Sequence, residues 1–108
     1  GIGVRQDHNK ALELYRKSAN QGFTPSLNSL GIMYERGIGV RQDYNKAFDL
    51  FQKAANQGHL KAQNNLGLMY ANGAGVRQDY TKAKEWFSKS CNGGEQEGCN
   101  NYRIINQR

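Results

Sequence analysis

The chain has 108 residues, 37% of them hydrophobic, and its 15 Lys and Arg against 9 Asp and Glu give a net charge of +6. That hydrophobic share suits a thin, extended core better than one deep one, and no apolar run approaches the ~20 residues of a membrane helix. The basic residues are spread along the chain without a cluster, which argues for a solvated surface and against a nucleic-acid footprint.

The opening Gly1-Ile2-Gly3-Val4-Arg5-Gln6-Asp7 returns as Gly37 to Asp43, identical at all seven positions, and again from Gly73 to Asp79 with one change. At a period of 36, units 1–36 and 37–72 match at 21 of 36 positions, and units 37–72 and 73–108 at 15 of 36. Self-similarity on this scale is the mark of a repeat array. Because the chain opens on a motif that recurs internally, it is expected to be a piece of a longer protein, so the absence of a visible secretory signal says little about its compartment.

Each unit predicts two helices. Asp7, Asp43 and Asp79 stand where an N-cap carboxylate would accept orphan backbone N–H groups of the first helix. In the second unit Ala47, Leu50, Phe51, Ala54 and Ala55 fall at helical spacing on one face. The first and third units repeat that stripe as Ala11, Leu14, Tyr15, Ser18, Ala19 and as Ala83, Trp86, Phe87, Ser90, Cys91. Gly22, Gly58 and Gly94 close these helices, and Pro25 suits the first turn of the next one. The second helix of unit two carries Ala62, Leu66, Met69 and Tyr70 on one face. Gly67, like Gly31, sits mid-helix at a cost of roughly 1 kcal/mol relative to Ala, which predicts a close helix–helix approach. The Gly-x-Gly-Val segments then turn the chain, with Val40 and Val76 as small apolar plugs. The last unit changes Leu66-Gly67-Leu68-Met69-Tyr70 to Tyr102-Arg103-Ile104-Ile105-Asn106, as a terminal cap requires.

Cys91 and Cys99 stand at facing positions of a helix hairpin. They can form a disulfide that closes a short loop or remain two buried thiols. A zinc site lacks a second ligand pair. The Gly-x-Gly-Val segments lack the strand and third glycine of a dinucleotide loop. His8 and His59 fall at different repeat positions and are expected at the surface. Glu13, Asp49 and Glu85 are displayed one per unit, so no two carboxylates converge as general acid–base work requires. No Ser-x-x-Lys motif accompanies the serines. No catalytic residue, metal or cofactor is therefore expected. Lys10, Glu13 and Lys17, with Lys46, Asp49, Lys53 and Lys82, Glu85, Lys89, make polar ladders, as do Asn20, Asn56, Asn92 and Asn28, Asn64, Asn100.

The pattern Ala47-x-x-Leu50-Phe51-x-x-Ala54-Ala55-x-x-Gly58, then Ala62-x-x-x-Leu66-Gly67-x-x-Tyr70, then Gly73-x-Gly75-Val76-x-x-Asp79-x-x-Lys82-Ala83 resembles the Sel-one-like repeat, a relative of the tetratricopeptide repeat. The resemblance covers nearly the whole chain. It implies an all-α, right-handed α/α superhelical solenoid of about three helix-turn-helix units, serving as a scaffold for another protein or a peptide. It also implies first helices on the inner curve, where Lys17, Asp49, Lys53, Glu85 and Lys89 would meet the partner. The cysteine hairpin is similar to that of the bacterial cysteine-rich Hcp proteins, which implies a Cys91–Cys99 disulfide and a periplasmic or secreted protein; a cytoplasmic one is the alternative. Some of those relatives have been labelled penicillin-binding or β-lactamase-like, which makes a cell-wall enzyme one rival reading. An anionic-polymer binder, suggested by the net charge, is another. A monomer without nucleic acid or membrane insertion is expected.

Overall fold

The structure, a computed structural model, describes residues 2–107, with side chains described from residue 9 onward. These residues form six helices: α1 (Ile2–Asn20), α2 (Thr24–Arg36), α3 (Tyr44–Asn56), α4 (Leu60–Asn72), α5 (Tyr80–Asn92) and α6 (Gln96–Ile105). Each helix packs against the next in chain order, and α4 also touches α6. The product is a repeat solenoid 45 × 23 × 21 Å.

The helix starts follow from their caps. Asp43 Oδ1 accepts from Lys46 N at 3.1 Å and Asp79 Oδ1 from Lys82 N at 3.0 Å. Replacing either aspartate by alanine is expected to remove about 1 kcal/mol, read as a lower urea midpoint. The turns before these caps rest on the preceding second helix. Gly37 and Gly73 adopt φ of 68° and 66°, a left-handed backbone that glycine enters without steric cost. Asp43 N then donates to Tyr34 O at 2.8 Å, and Asp79 N to Tyr70 O at 2.9 Å. Gln42 and Gln78 fasten the same turns. Gln42 Nε2 donates to Glu35 O and to the Tyr44 hydroxyl, and Gln78 Nε2 to Ala71 O and the Tyr80 hydroxyl.

The first copy of this segment behaves differently. α1 begins at Ile2, so Asp7 lies inside a helix and is not its N-cap, contrary to the expectation from the repeat. The side chains of Asp7 and His8 lie outside the described residues.

A shared core runs through the array. Phe51, Phe87, Leu66 and Met69 are almost fully buried. The mid-helix glycines make the close approaches that their repetition suggests. A Cβ on Gly31 would lie 2.7 Å from the Phe51 ring, and one on Gly67 2.6 Å from Phe87. At the equivalent position of α6 Arg103 replaces the glycine and is exposed.

Candidate functional site

Two rows of helices offer themselves to a partner. Side-chain bridges link the second helices, and α6 also packs on α4. Asn65 Nδ2 donates to Asn28 Oδ1 at 3.0 Å across α4 and α2, and Asn101 Nδ2 donates to Asn64 Oδ1 at 2.8 Å across α6 and α4. Asn64 Nδ2 also reaches Glu97 Oε2 at 3.4 Å. Asn28 and Asn64 are only 6% and 2% exposed. They are therefore joints between units, where the sequence suggested a displayed ladder; Asn100, by contrast, is exposed.

Among the described residues no substantial packing joins α1 to α3, α3 to α5 or α2 to α4. A groove of about 300 Å³ parts α1 from α3, walled by Arg16, Asn20, Asp49 and Leu50 and floored by Leu30 and Tyr34 of α2.

Lys17, Asp49, Lys53, Glu85 and Lys89 are all exposed, one or two to each first helix. Lys89 Nζ lies 4.5 Å from the Trp86 ring centroid, within cation–π range. Lys46 and Lys82 instead cover Tyr34 and Tyr70 at 5.2 and 5.5 Å, so they tie first helices to the preceding second helices. Among the described residues one ion pair is formed, Arg36 with Glu35 at 3.9 Å. Burial raises the Glu35 carboxyl above its usual range, and Arg36 opposes that shift.

Near the C-terminal end, Leu68, Ala71 and Asn72 of α4, Tyr80 and Phe87 of α5, and Asn101 and Ile104 of α6 line a hollow of about 280 Å³. Ile104 is 58% exposed there. Cys91 and Cys99 are joined by a disulfide, their Cα atoms 4.4 Å apart; it fastens α6 to α5. In the preceding hairpin the equivalent contact is Gln63 Nε2 donating to Ala55 O at 3.3 Å. Among the described residues no three His, Cys, Asp or Glu side chains converge as a metal site would need. No helix among them is long and apolar enough to cross a membrane.

His59, expected as a plain surface histidine, caps α4: its Nδ1 accepts from Ala62 N at 3.2 Å. Only the unprotonated ring nitrogen can accept that bond. Burial, and secondarily Lys61, lowers its pKa below the ordinary value, while Glu95 acts in the opposite sense. A depressed histidine pKa means the unfolded chain binds the proton more readily. The cap's contribution is therefore complete above pH ~6.5 and is lost as pH falls through the folded-state pKa. The urea midpoint is expected to drop more between pH 7.5 and 5.5 in the parent than in His59→Asn, whose amide oxygen caps at both values.

Residues 1–23, 24–59 and 60–95 match the family model of the Sel1 repeat. No match was found among curated proteins. Among solved structures, a protective antigen of uropathogenic Escherichia coli strains that displays an SLR fold is 41% identical, with a TM-score of 0.78 over 80% of this chain and 18% of the antigen. A Sel1 repeat protein from Oxalobacter formigenes is 29% identical, with a TM-score of 0.81 over 87% of this chain and 39% of that one. Cysteine-rich protein B of Helicobacter pylori is 26% identical, with a TM-score of 0.80 over 85% of this chain and 69% of that protein. The chain thus spans less than half the length of the first two.

Proposed function

Because the chain belongs to the Sel1 repeat family, whose members serve as protein-interaction scaffolds, we propose that it binds a protein or an extended peptide along its second-helix face. The observation that carries this reading is Ile104 of α6, 58% exposed beside a hollow lined by Leu68, Ala71, Asn72 and Asn101 among others, because burying such apolar surface drives association. The exposed first-helix charges Lys17, Asp49, Lys53, Glu85 and Lys89 form the competing surface, matched to a partner of mixed charge. The Cys91–Cys99 disulfide and the likeness to a cysteine-rich protein support a periplasmic or secreted bacterial scaffold, since disulfides persist in oxidising compartments.

Affinity capture with the full-length protein supplies the partner, and two double variants then separate the surfaces. Asn72→Glu with Ile104→Glu is expected to weaken binding at least about tenfold, or ~1.4 kcal/mol. Lys53→Glu with Lys89→Glu should leave binding within a factor of about three and the melting curve nearly unchanged. The reverse ranking would move the site to the first helices. Binding that follows net charge and collapses with modest salt would instead mark an anionic-polymer binder. Nitrocefin hydrolysis by the purified chain would replace the scaffold reading with an enzymatic one.

A further inference from the structure

Two asparagines of this chain stand directly before a glycine, in Asn72-Gly73 and Asn92-Gly93. With no Cβ on the second residue, little hinders its backbone nitrogen from reaching the asparagine side chain, and such pairs are prone to cyclise. Both asparagines are exposed, and each is the last residue of its helix, α4 or α5. In each pair the glycine amide is held by a helix-end hydrogen bond, to Met69 O or to Lys89 O, which keeps it off the neighbouring side chain. Cyclisation therefore waits for the helix end to open, and the two ends are held shut differently.

Beyond Gly73 the chain is laced back onto α4. Ala74 N donates to Met69 O, Asp79 N to Tyr70 O at 2.9 Å, and Gln78 Nε2 to Ala71 O at 2.9 Å. Beyond Gly93 the backbone bonds run from Gly94 N to Cys91 O and from Glu95 N to Ser90 O, and the covalent brace is the Cys91–Cys99 disulfide. In the preceding hairpin an amide does that work, Gln63 Nε2 donating to Ala55 O. Cys99 stands in the place of Gln63, so no amide brace takes over when the disulfide opens. The equivalents of Gly93 are Gln21 and Gln57, so the asparagine–glycine pair and the reducible bond occur in the same hairpin.

We propose that Asn92 is a deamidation site that the Cys91–Cys99 bond holds back and that reduction releases. An external dithiol reduces the disulfide to two thiols and is itself oxidised to a disulfide. In the opened turn the Gly93 nitrogen gives its proton to solvent base and attacks Asn92 Cγ. The new N–Cγ bond forms as Cγ–Nδ2 breaks, and Nδ2 leaves as ammonia with a proton from water. The succinimide then adds one water and opens to aspartate or isoaspartate. The new carboxylate lies at the negative end of the α5 dipole, and isoaspartate lengthens the backbone, so the mark outlasts reoxidation.

The test incubates the chain at one pH and temperature in four forms: oxidised, reduced with dithiothreitol, as Cys91→Ala with Cys99→Ala, and unfolded in urea. Peptide mapping by mass spectrometry follows both asparagines. Because the rate tracks the population of the open turn, reduction and the double variant should each speed conversion at Asn92 at least about tenfold. Asn72 should stay within a factor of about two, since its turn keeps its bonds. The double variant should not respond to dithiothreitol, and in urea the preference for Asn92 should vanish. A rate at Asn92 indifferent to the bond would overturn the proposal. Equal acceleration at Asn72 would also do so, by marking general unfolding, as would a preference for Asn92 that persists in urea.

Discussion

Replacing Phe87 by alanine is expected to destabilise the chain by about 3–5 kcal/mol. The ring is 2% exposed and fills the space that Gly67 leaves on α4, within 2.6 Å of where a Cβ would stand. Truncation opens a cavity between two rigid helices that cannot close on it. Folded domains hold only 5–15 kcal/mol in reserve, so the urea midpoint should fall steeply. Gly67→Ala attacks the same contact from the other side. Its higher helix propensity is worth roughly 1 kcal/mol, but the added methyl meets the Phe87 ring and, at 3.2 Å, the Ala83 carbonyl. Such overpacking costs about 1–3 kcal/mol. In the Phe87→Ala background the methyl has room, so the two changes should cost less together than their sum, with a coupling of about 1 kcal/mol or more. Leu14→Ala is the control: its side chain is 65% exposed, and a change within about 0.5 kcal/mol is expected.

Removing the Cys91–Cys99 bond should cost about 2–3 kcal/mol, the loop-closure entropy of a short span. The sequence separation is 8. Cys91→Ala with Cys99→Ala is suited to the test, because alanine occupies the first of these positions in the other two units. A reducing agent should lower the urea midpoint of the parent and leave that of the double variant unmoved. The damage should concentrate in α6, which packs only on α5 and α4. Its amides are expected to exchange faster with solvent while those of α2 and α3 keep their protection. Uniform loss of protection would show instead that the bond supports the whole array.

Much of this architecture is legible in the sequence because the unit is written three times. A residue that recurs at a 36-residue spacing under different neighbours has a local job, and the jobs of Asp43, Asp79, Gly31 and Gly67 follow from elementary stereochemistry. Gln42 and Gln78 recur as faithfully, but a glutamine in a turn has too many possible partners for its bonds to be read in advance. Asn28 and Asn64 show the converse limit. Recurrence is the same for a displayed row and for a joint between units, and only packing separates them. His59 carries no repeat signal, since Phe23 and Glu95 hold its position in the neighbouring units. The start of α1 is illegible for a different reason: residues 2–7 repeat 38–43 identically, yet the first run is helical and the second forms a turn. Which row lines the inner curve depends on how neighbouring units meet, and no single unit's pattern contains that.

The order of contacts along the chain bears on how such a molecule is made. No substantial packing joins helices more than two places apart, so no segment has to wait for a distant one. Little loop-closure entropy opposes any contact, the condition under which chains fold quickly. On the ribosome, where the N-terminus emerges first, α2 finds α1 already outside the tunnel, and each later helix finds its partner immediately behind it. Apolar faces are covered within a few dozen residues of synthesis, which leaves little time for them to meet those of another nascent chain. Cys99 emerges only with α6, when Cys91 and the hairpin that presents it are nearly in place, so the oxidation step follows assembly and does not direct it.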